Sequence, residues 1–189
     1  MNSIAVYTGS SPGNNKAHTQ AAIDLARLMV SHKIDLVYGG ATVGLMGVLA
    51  DDVLSSGGKV TGIIPKSLED RELSHQGITE LLVVDSMHTR KAKMIEKSDG
   101  FIALPGGFGT LDEFFEVLTW SQLGLHTKPC GLLNIDGYYD LLIEFMDHQM
   151  KSGFVSLEHR NTVLVANSPQ MMLDIMMSYQ STYSGKWVV

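Results

Sequence analysis

The segment Pro105-Gly106-Gly107-Phe108-Gly109-Thr110-Leu111-Asp112-Glu113 gathers residue types that bind an anion and set a carboxylate beside it. It follows an apolar run, Phe101-Ile102-Ala103-Leu104, that stops at a proline, crosses the glycines and enters a helical pattern. Glycine permits a positive φ and lets the backbone approach a ligand closely. Successive N–H groups in such a turn, with the helix N-terminus behind them, can cradle a phosphate, and the Thr110 hydroxyl adds a donor. The plain alternative is a sharp strand-to-helix turn in which Thr110 and Asp112 only cap the helix. Three glycines joined to a threonine and a glutamate at a strand's end favour the anion site. Glu113 and Glu116 are three residues apart, so their carboxylates share one helix face near that anion. For Asp112 and Glu116 the ordinary role is to complement the positive end of the helix.

A second cluster is Val83-Val84-Asp85-Ser86-Met87-His88-Thr89-Arg90-Lys91. Ser86 can cap a helix whose start then carries the adjacent cations Arg90 and Lys91. Cations are unfavourable at the positive end of a helix, and an anionic ligand would relieve the conflict. A solvated surface pair is the competing reading, more apt for Lys91 than for Arg90, and His88 by itself reads as structural. A third segment, from Tyr38-Gly39-Gly40 to Gly44-Leu45-Met46-Gly47, does not match G-x-G-x-x-G and follows the second strand rather than the first. Gly57-Gly58-Lys59-Val60 lacks the Ser or Thr of a P-loop. Gly44 and Gly47 are expected to allow close helix packing, and Gly39 and Gly40 to lie near the ligand. Gly9-Ser10-Ser11, after the first strand, should line the same crevice.

These residues need a scaffold that brings distant turns together. Short β-rich runs near 4–7, 34–38, 59–64, 81–85, 100–104, 130–134 and 162–165 alternate with helical patterns near 15–31, 44–55, 87–98, 109–123, 138–151 and 169–180. The strands are mostly continuous apolar runs, as in a sheet covered on both faces. The alternation predicts an α/β fold: a doubly wound, Rossmann-like parallel sheet of about seven strands with helices on both faces. Ligands of such sheets bind beyond the carboxyl ends of the strands, where all of these turns fall. No repeat or linker divides the chain, so residues 1–189 are expected to form a single nucleotide-binding domain. The longest polar connection is 65–77, and 181–189 reads as a loose tail.

Composition narrows the function. The chain has 189 residues and a formal net charge of -6, which disfavours a nucleic-acid surface but not a small anion bound by backbone N–H groups. Cys130 is the single cysteine, so neither an internal disulfide nor a cysteine-rich metal site is expected. The N-terminus lacks a signal-peptide pattern and no long apolar stretch reads as a membrane span, so the expectation is a cytoplasmic protein.

Met87-His88-x-Arg90-Lys91, followed by Pro105-Gly106-Gly107-x-Gly109-Thr110-x-x-Glu113, resembles the paired signature of the Lonely Guy (LOG) family. Its members are phosphoribohydrolases of cytokinin nucleotides, and many bacterial ones carried the label possible lysine decarboxylase. The likeness runs from Val6-Tyr7-x-Gly9-Ser10-Ser11 through Tyr38-Gly39-Gly40 to Lys128-Pro129 and Gly137-Tyr138-Tyr139. It implies hydrolysis of the N-glycosidic bond of a nucleoside 5′-monophosphate, such as N6-isopentenyl-AMP or AMP, to free base and ribose 5-phosphate. By the same resemblance Arg90 and Glu113 are the catalytic pair, and Gly106, Gly107, Phe108, Gly109 and Thr110 hold phosphate and ribose. Glu72, Met87, Lys91, Asp112, Glu116 and Thr119 fall at or beside substrate. Asp112 stands where many relatives have Glu. The family implies no cofactor and a homodimer or an assembly of dimers, for which the apolar segment 114–125, with Trp120 and Leu123, is the candidate surface. Two other readings remain: a non-catalytic nucleotide carrier or sensor using the same loop, and a decarboxylase built on pyridoxal phosphate, for which no setting for a Schiff-base lysine is recognisable.

Overall fold

The computed structural model describes residues 1–69 and 74–181. Seven strands appear where apolar runs were expected: β1 (Ser3–Tyr7), β2 (Asp35–Tyr38), β3 (Val60–Pro65), β4 (Glu80–Val84), β5 (Gly100–Ala103), β6 (Cys130–Leu133) and β7 (Val163–Ala166). They form one sheet in the order β4-β3-β2-β1-β5-β6-β7. Every pairing is parallel. The order reverses direction between β1 and β5, and a doubly wound sheet opens a crevice there.

Side chains on a strand alternate between faces, and this period explains the two-sided core. Ile4, Val6, Leu36, Tyr38, Ile102 and Leu104 pack one way, against α1 (Lys16–Ser31), α2 (Gly44–Ser55) and α8 (Pro169–Met177). Ala5, Tyr7, Val37, Phe101 and Ala103 pack the other way, against α4 (Met87–Glu96), α5 (Phe108–Gln122) and α6 (Asp140–Lys151). Because α4 must carry the chain from the edge strand β4 to β5 beyond β1, it crosses this second face. Its first turn therefore lies over the carboxyl end of β3, beside the start of α5.

Local capping sets where the helices start. Asn15 accepts from the Ala17 N–H at 2.9 Å and caps α1. Ser86 accepts from the Thr89 N–H at 3.1 Å and caps α4, as its position predicted. Two short helices were not anticipated: α3 (Lys66–Glu69), inside the polar connection, and α7 (Leu157–Asn161). Neither buries a residue, so neither leaves an apolar period to read. Glu72 and residues 182–189 lie outside the described residues. No helix among the described residues is long and apolar enough to cross a membrane.

Leu49 of α2 is fully enclosed between that helix and the sheet. Leu49→Ala should lower unfolding free energy by about 2–5 kcal/mol, the usual cost of emptying a closed leucine site. Urea denaturation followed by circular dichroism would measure it, and a change below about 1 kcal/mol would contradict this packing.

Candidate active site

At the switch point a cleft of about 420 Å³ is lined by Gly9, Ser10, His18, Leu45, Gly106 and Tyr138, among others. The turns after β1 and β5 are tied together there, because the Gly9 N–H donates to the Pro105 carbonyl at 3.2 Å. Of the two reasons expected for the glycines, room for close approach fits Gly107 and Gly109, but a positive φ fits none of Gly106, Gly107 and Gly109. A side chain at Gly106 would run into the Thr110 hydroxyl and lie 2.8 Å from the Gly9 nitrogen, so this glycine serves internal packing. At Gly107 and Gly109 an added Cβ would meet nothing within 4 Å. Their bare backbone faces open space at the start of α5, where the first N–H groups of a helix have no internal partners. Thr110 is 3% exposed and does not cap the helix; the residue in the cap position is Gly107, which makes no side-chain bond. Gly109 and Glu113 are four apart and share a face, so the open backbone lies one turn below the carboxylate.

Glu113 meets Arg90. Arg90 Nη1 is 3.3 Å from Glu113 Oε1, and each side chain keeps only about a tenth of its surface exposed. Arg90 Nε donates to the Ile63 carbonyl of β3 at 3.0 Å, which anchors the guanidinium from the sheet side. Beside it, Lys91 Nζ lies 3.2 Å from Asp112 Oδ2 and 3.1 Å from Glu116 Oε1. Two consecutive cations of α4 thus meet three carboxylates of α5, so the conflict at the start of α4 is relieved by protein carboxylates and needs no anionic ligand. Reading the pair as a solvated surface feature fails for the same reason. Burial pushes the Glu113 carboxyl above the usual carboxylate range, and the Arg90 charge pulls it back without cancelling the rise. Lys91 ends above its ordinary value: burial opposes its charge, but hydrogen bonds to Glu116 and Asp112 outweigh that.

The glycines after β2 divide in role. A Cβ on Gly39 would collide with Arg90 Nη2, so the missing side chain is the space that the guanidinium fills. Gly40, with φ +82°, presses on Ile63, Ile64 and Leu81, and its place is set by the sheet. Gly44 and Gly47 do allow close packing, though against loop backbone rather than another helix: Gly44 against Ser10–Ser11 and Gly47 against Thr42.

Phe108 is 93% exposed at the first position of α5. With Asp112, Glu116, Thr119 and Trp120 it borders a shallow hollow of about 480 Å³ on the outer side of the helix. Met87 is exposed but touches the site through its sulfur, 3.9 Å from Arg90 Nη1. His88 is exposed. Of the apolar segment offered as a contact surface, Phe114 and Val117 are core, while Leu123 and Leu125 are exposed. His18, Leu45 and Tyr138 line the cleft without having been singled out as ligand-facing. Tyr138 is 32 residues from Gly106, whose carbonyl it holds, and no local pattern carries that pairing.

A family model described as possible lysine decarboxylase matches residues 46–176. The chain is 52% identical over 170 residues to a cytokinin riboside 5′-monophosphate phosphoribohydrolase of Arabidopsis thaliana, covering 89% of this chain and 80% of that protein. It is 46% identical over 176 residues to a probable enzyme of the same name from Oryza sativa subsp. japonica, covering 93% and 70%. Among solved structures, the molybdenum cofactor binding protein of Rippkaea orientalis superposes with a TM-score of 0.70 at 23% identity, covering 93% of this chain and 95% of that one. DNA processing protein A of Helicobacter pylori superposes at 0.61 with 16% identity, covering 93% and 80%. At such identities the structural likeness concerns the fold alone.

Removing the Arg90 charge should raise the Glu113 pKa further, because that charge is what holds it down. Arg90→Met and Gly39→Ala, whose methyl takes the guanidinium's place, should both move it upward in a carbon-13 NMR titration of the carboxyl. A downward or absent shift in Arg90→Met would show that the two groups are not coupled.

Proposed function

This chain belongs to the Lonely Guy family, and from that membership we propose that it hydrolyses the N-glycosidic bond of a nucleoside 5′-monophosphate to free base and ribose 5-phosphate. The observation that carries the reading is the nearly dry Arg90–Glu113 pair, one helical turn from the open backbone of Gly109 and within two turns of Gly107 at the helix cap. Phosphate sits at residues 106–110, bound by N–H groups at the positive end of α5. The ribose then lies along the helix towards Glu113. As the base departs with the electrons of the C1′–N bond, positive charge grows on the sugar, and a carboxylate beside C1′ stabilises it. The attacking water gives its oxygen to C1′ and a proton to Glu113, which burial makes a better proton acceptor than an ordinary carboxylate. Arg90 orients that carboxylate and offsets its charge. Lys91, Asp112 and Glu116 brace the two helices beside substrate, and Gly9 and Ser10 border it; Thr119, on the outer hollow of α5, is assigned a substrate contact on the resemblance alone. Glu72 is assigned a substrate contact on the resemblance. Cytokinin nucleotides such as N6-isopentenyl-AMP are the proposed substrates, with AMP as a second.

A Schiff-base decarboxylase fits these residues poorly. Lys91 is held as an ammonium between two carboxylates, whereas a Schiff base forms from a neutral amine. The half-buried Lys128 donates to the Ile95 carbonyl at the C-terminus of α4, at the amino end of the strands. A passive nucleotide carrier would have no use for a buried carboxylate of raised pKa beside the sugar. We further propose that the chain acts as one nucleotide-binding domain, in the cytoplasm, and as a homodimer. Exposed Leu123 and Leu125, just after α5, and exposed Leu141 and Phe145 on α6 supply apolar surface for that contact. Light scattering should report twice the mass of the chain.

The decisive assay incubates the protein with AMP, GMP, CMP and isopentenyl-AMP and quantifies free base and ribose 5-phosphate. Glu113→Gln should cut turnover by about a hundred- to a thousand-fold. Near-normal base release by that variant would remove Glu113 from the chemistry, and binding without release would make the protein a carrier. Because the reaction needs Glu113 ionised, kcat/KM should fall as pH drops through its raised pKa. That acidic limb should sit higher than for an unperturbed glutamate.

A further inference from the structure

Three consecutive carbonyls of the turn after β5 are held by donors from other segments. Leu104 O accepts from the Tyr139 hydroxyl at 2.6 Å. Pro105 O accepts from the Thr8 hydroxyl and the Gly9 N–H, both at 3.2 Å. Gly106 O accepts from the Tyr138 hydroxyl at 2.5 Å. No peptide bond among the described residues is cis. In a trans peptide the carbonyl of one residue and the N–H of the next point in opposite directions. Holding the Pro105 and Gly106 carbonyls therefore aims the N–H groups of Gly106 and Gly107 the other way. Glycine at 106 and 107 has little steric preference of its own, so without these anchors the two peptides would turn easily.

The two tyrosine donors come from a braced strap, whereas Thr8 and Gly9 belong to the turn after β1. Between β6 and α6, Asn134 accepts from the Tyr139 N–H at 2.7 Å and donates to Asp140 at 2.7 Å. Asn15 donates to Asp136 at 2.6 Å, which ties the strap to the start of α1. Tyr139 is buried, and its ring meets that of Tyr138 edge-on at 4.9 Å. Tyr138 in turn meets His18 edge-on at 5.4 Å, so a ring that is 46% exposed still has a defined position.

We infer that Tyr138, backed by Tyr139, is a positioning residue: it clamps the Gly106 carbonyl so that the loop N–H groups are preset for the phosphate of the substrate. The inference rests on the proposed placement of phosphate at residues 106–110. Preset donors bind without first being ordered, so losing the clamp weakens recognition of the phosphate end and leaves recognition of the base intact.

The test measures ribose 5-phosphate affinity by calorimetry, KM and kcat for AMP, and inhibition by free adenine, in Tyr138→Phe and in Thr110→Val. Tyr138→Phe keeps the ring against His18 and removes only the hydroxyl. It should weaken ribose 5-phosphate binding and raise the KM for AMP by roughly three- to ten-fold, the worth of one hydrogen bond. Adenine inhibition and melting temperature should stay unchanged. If Thr110→Val weakens ribose 5-phosphate and Tyr138→Phe does not, the clamp is wrong while the phosphate placement stands. If neither variant weakens it, the phosphate placement fails and the clamp with it. An equal loss of adenine affinity in Tyr138→Phe would point to general loosening and would also overturn the inference.

Discussion

Charges removed from water need partners, and the Arg90 guanidinium and Glu113 carboxylate supply each other's at 3.3 Å with about a tenth of each side chain exposed. That pairing constrains much of the surrounding architecture. It requires α4 to cross one face of the sheet so that its first turn reaches α5. It requires Gly39 to lack a side chain, since the guanidinium occupies that space. It is braced by the neighbouring contacts of Lys91 with Asp112 and Glu116, which fix the helices relative to each other. Burial raises the Glu113 pKa while the paired Arg90 charge holds it back, a balance suited to the role proposed for it, accepting a proton beside a developing cation.

The loop proposed to bind phosphate solves a different problem. Backbone donors are useful only if their direction is fixed before the ligand arrives, and the glycines that leave space for a ligand also remove steric guidance. The structure fixes direction from outside the loop, by taking up its carbonyls with Thr8, Gly9, Tyr138 and Tyr139. Openness at Gly107 and Gly109 is thereby compatible with rigidity at Pro105 and Gly106. Parallel sheets of this kind host many chemistries, so the carboxylate, the guanidinium and the clamped loop, rather than the sheet, distinguish this protein.

The sequence by itself determined the α/β class, the seven strands, and the fact that the turns after β1, β2, β4 and β5 share one edge. All of that follows from apolar periodicity and from glycine and proline punctuation, which are local signals. It also marked residues 90 and 113 through a resemblance carried by their spacing. The short helices α3 and α7 left no trace because neither buries a face. Tertiary structure alone decided what the cations of α4 meet: a helix dipole argument called for an anionic ligand, and the fold supplied Glu113, Asp112 and Glu116 instead. It also decided that the loop glycines serve packing and openness rather than positive φ, and that Gly39 makes room for Arg90 while Gly40 packs on β3. The same holds for Tyr138 on Gly106, a contact between residues 32 apart. The physical reason is common to these cases. Periodicity records which way a side chain points along its own element, whereas the partner it meets there depends on how separate elements cross.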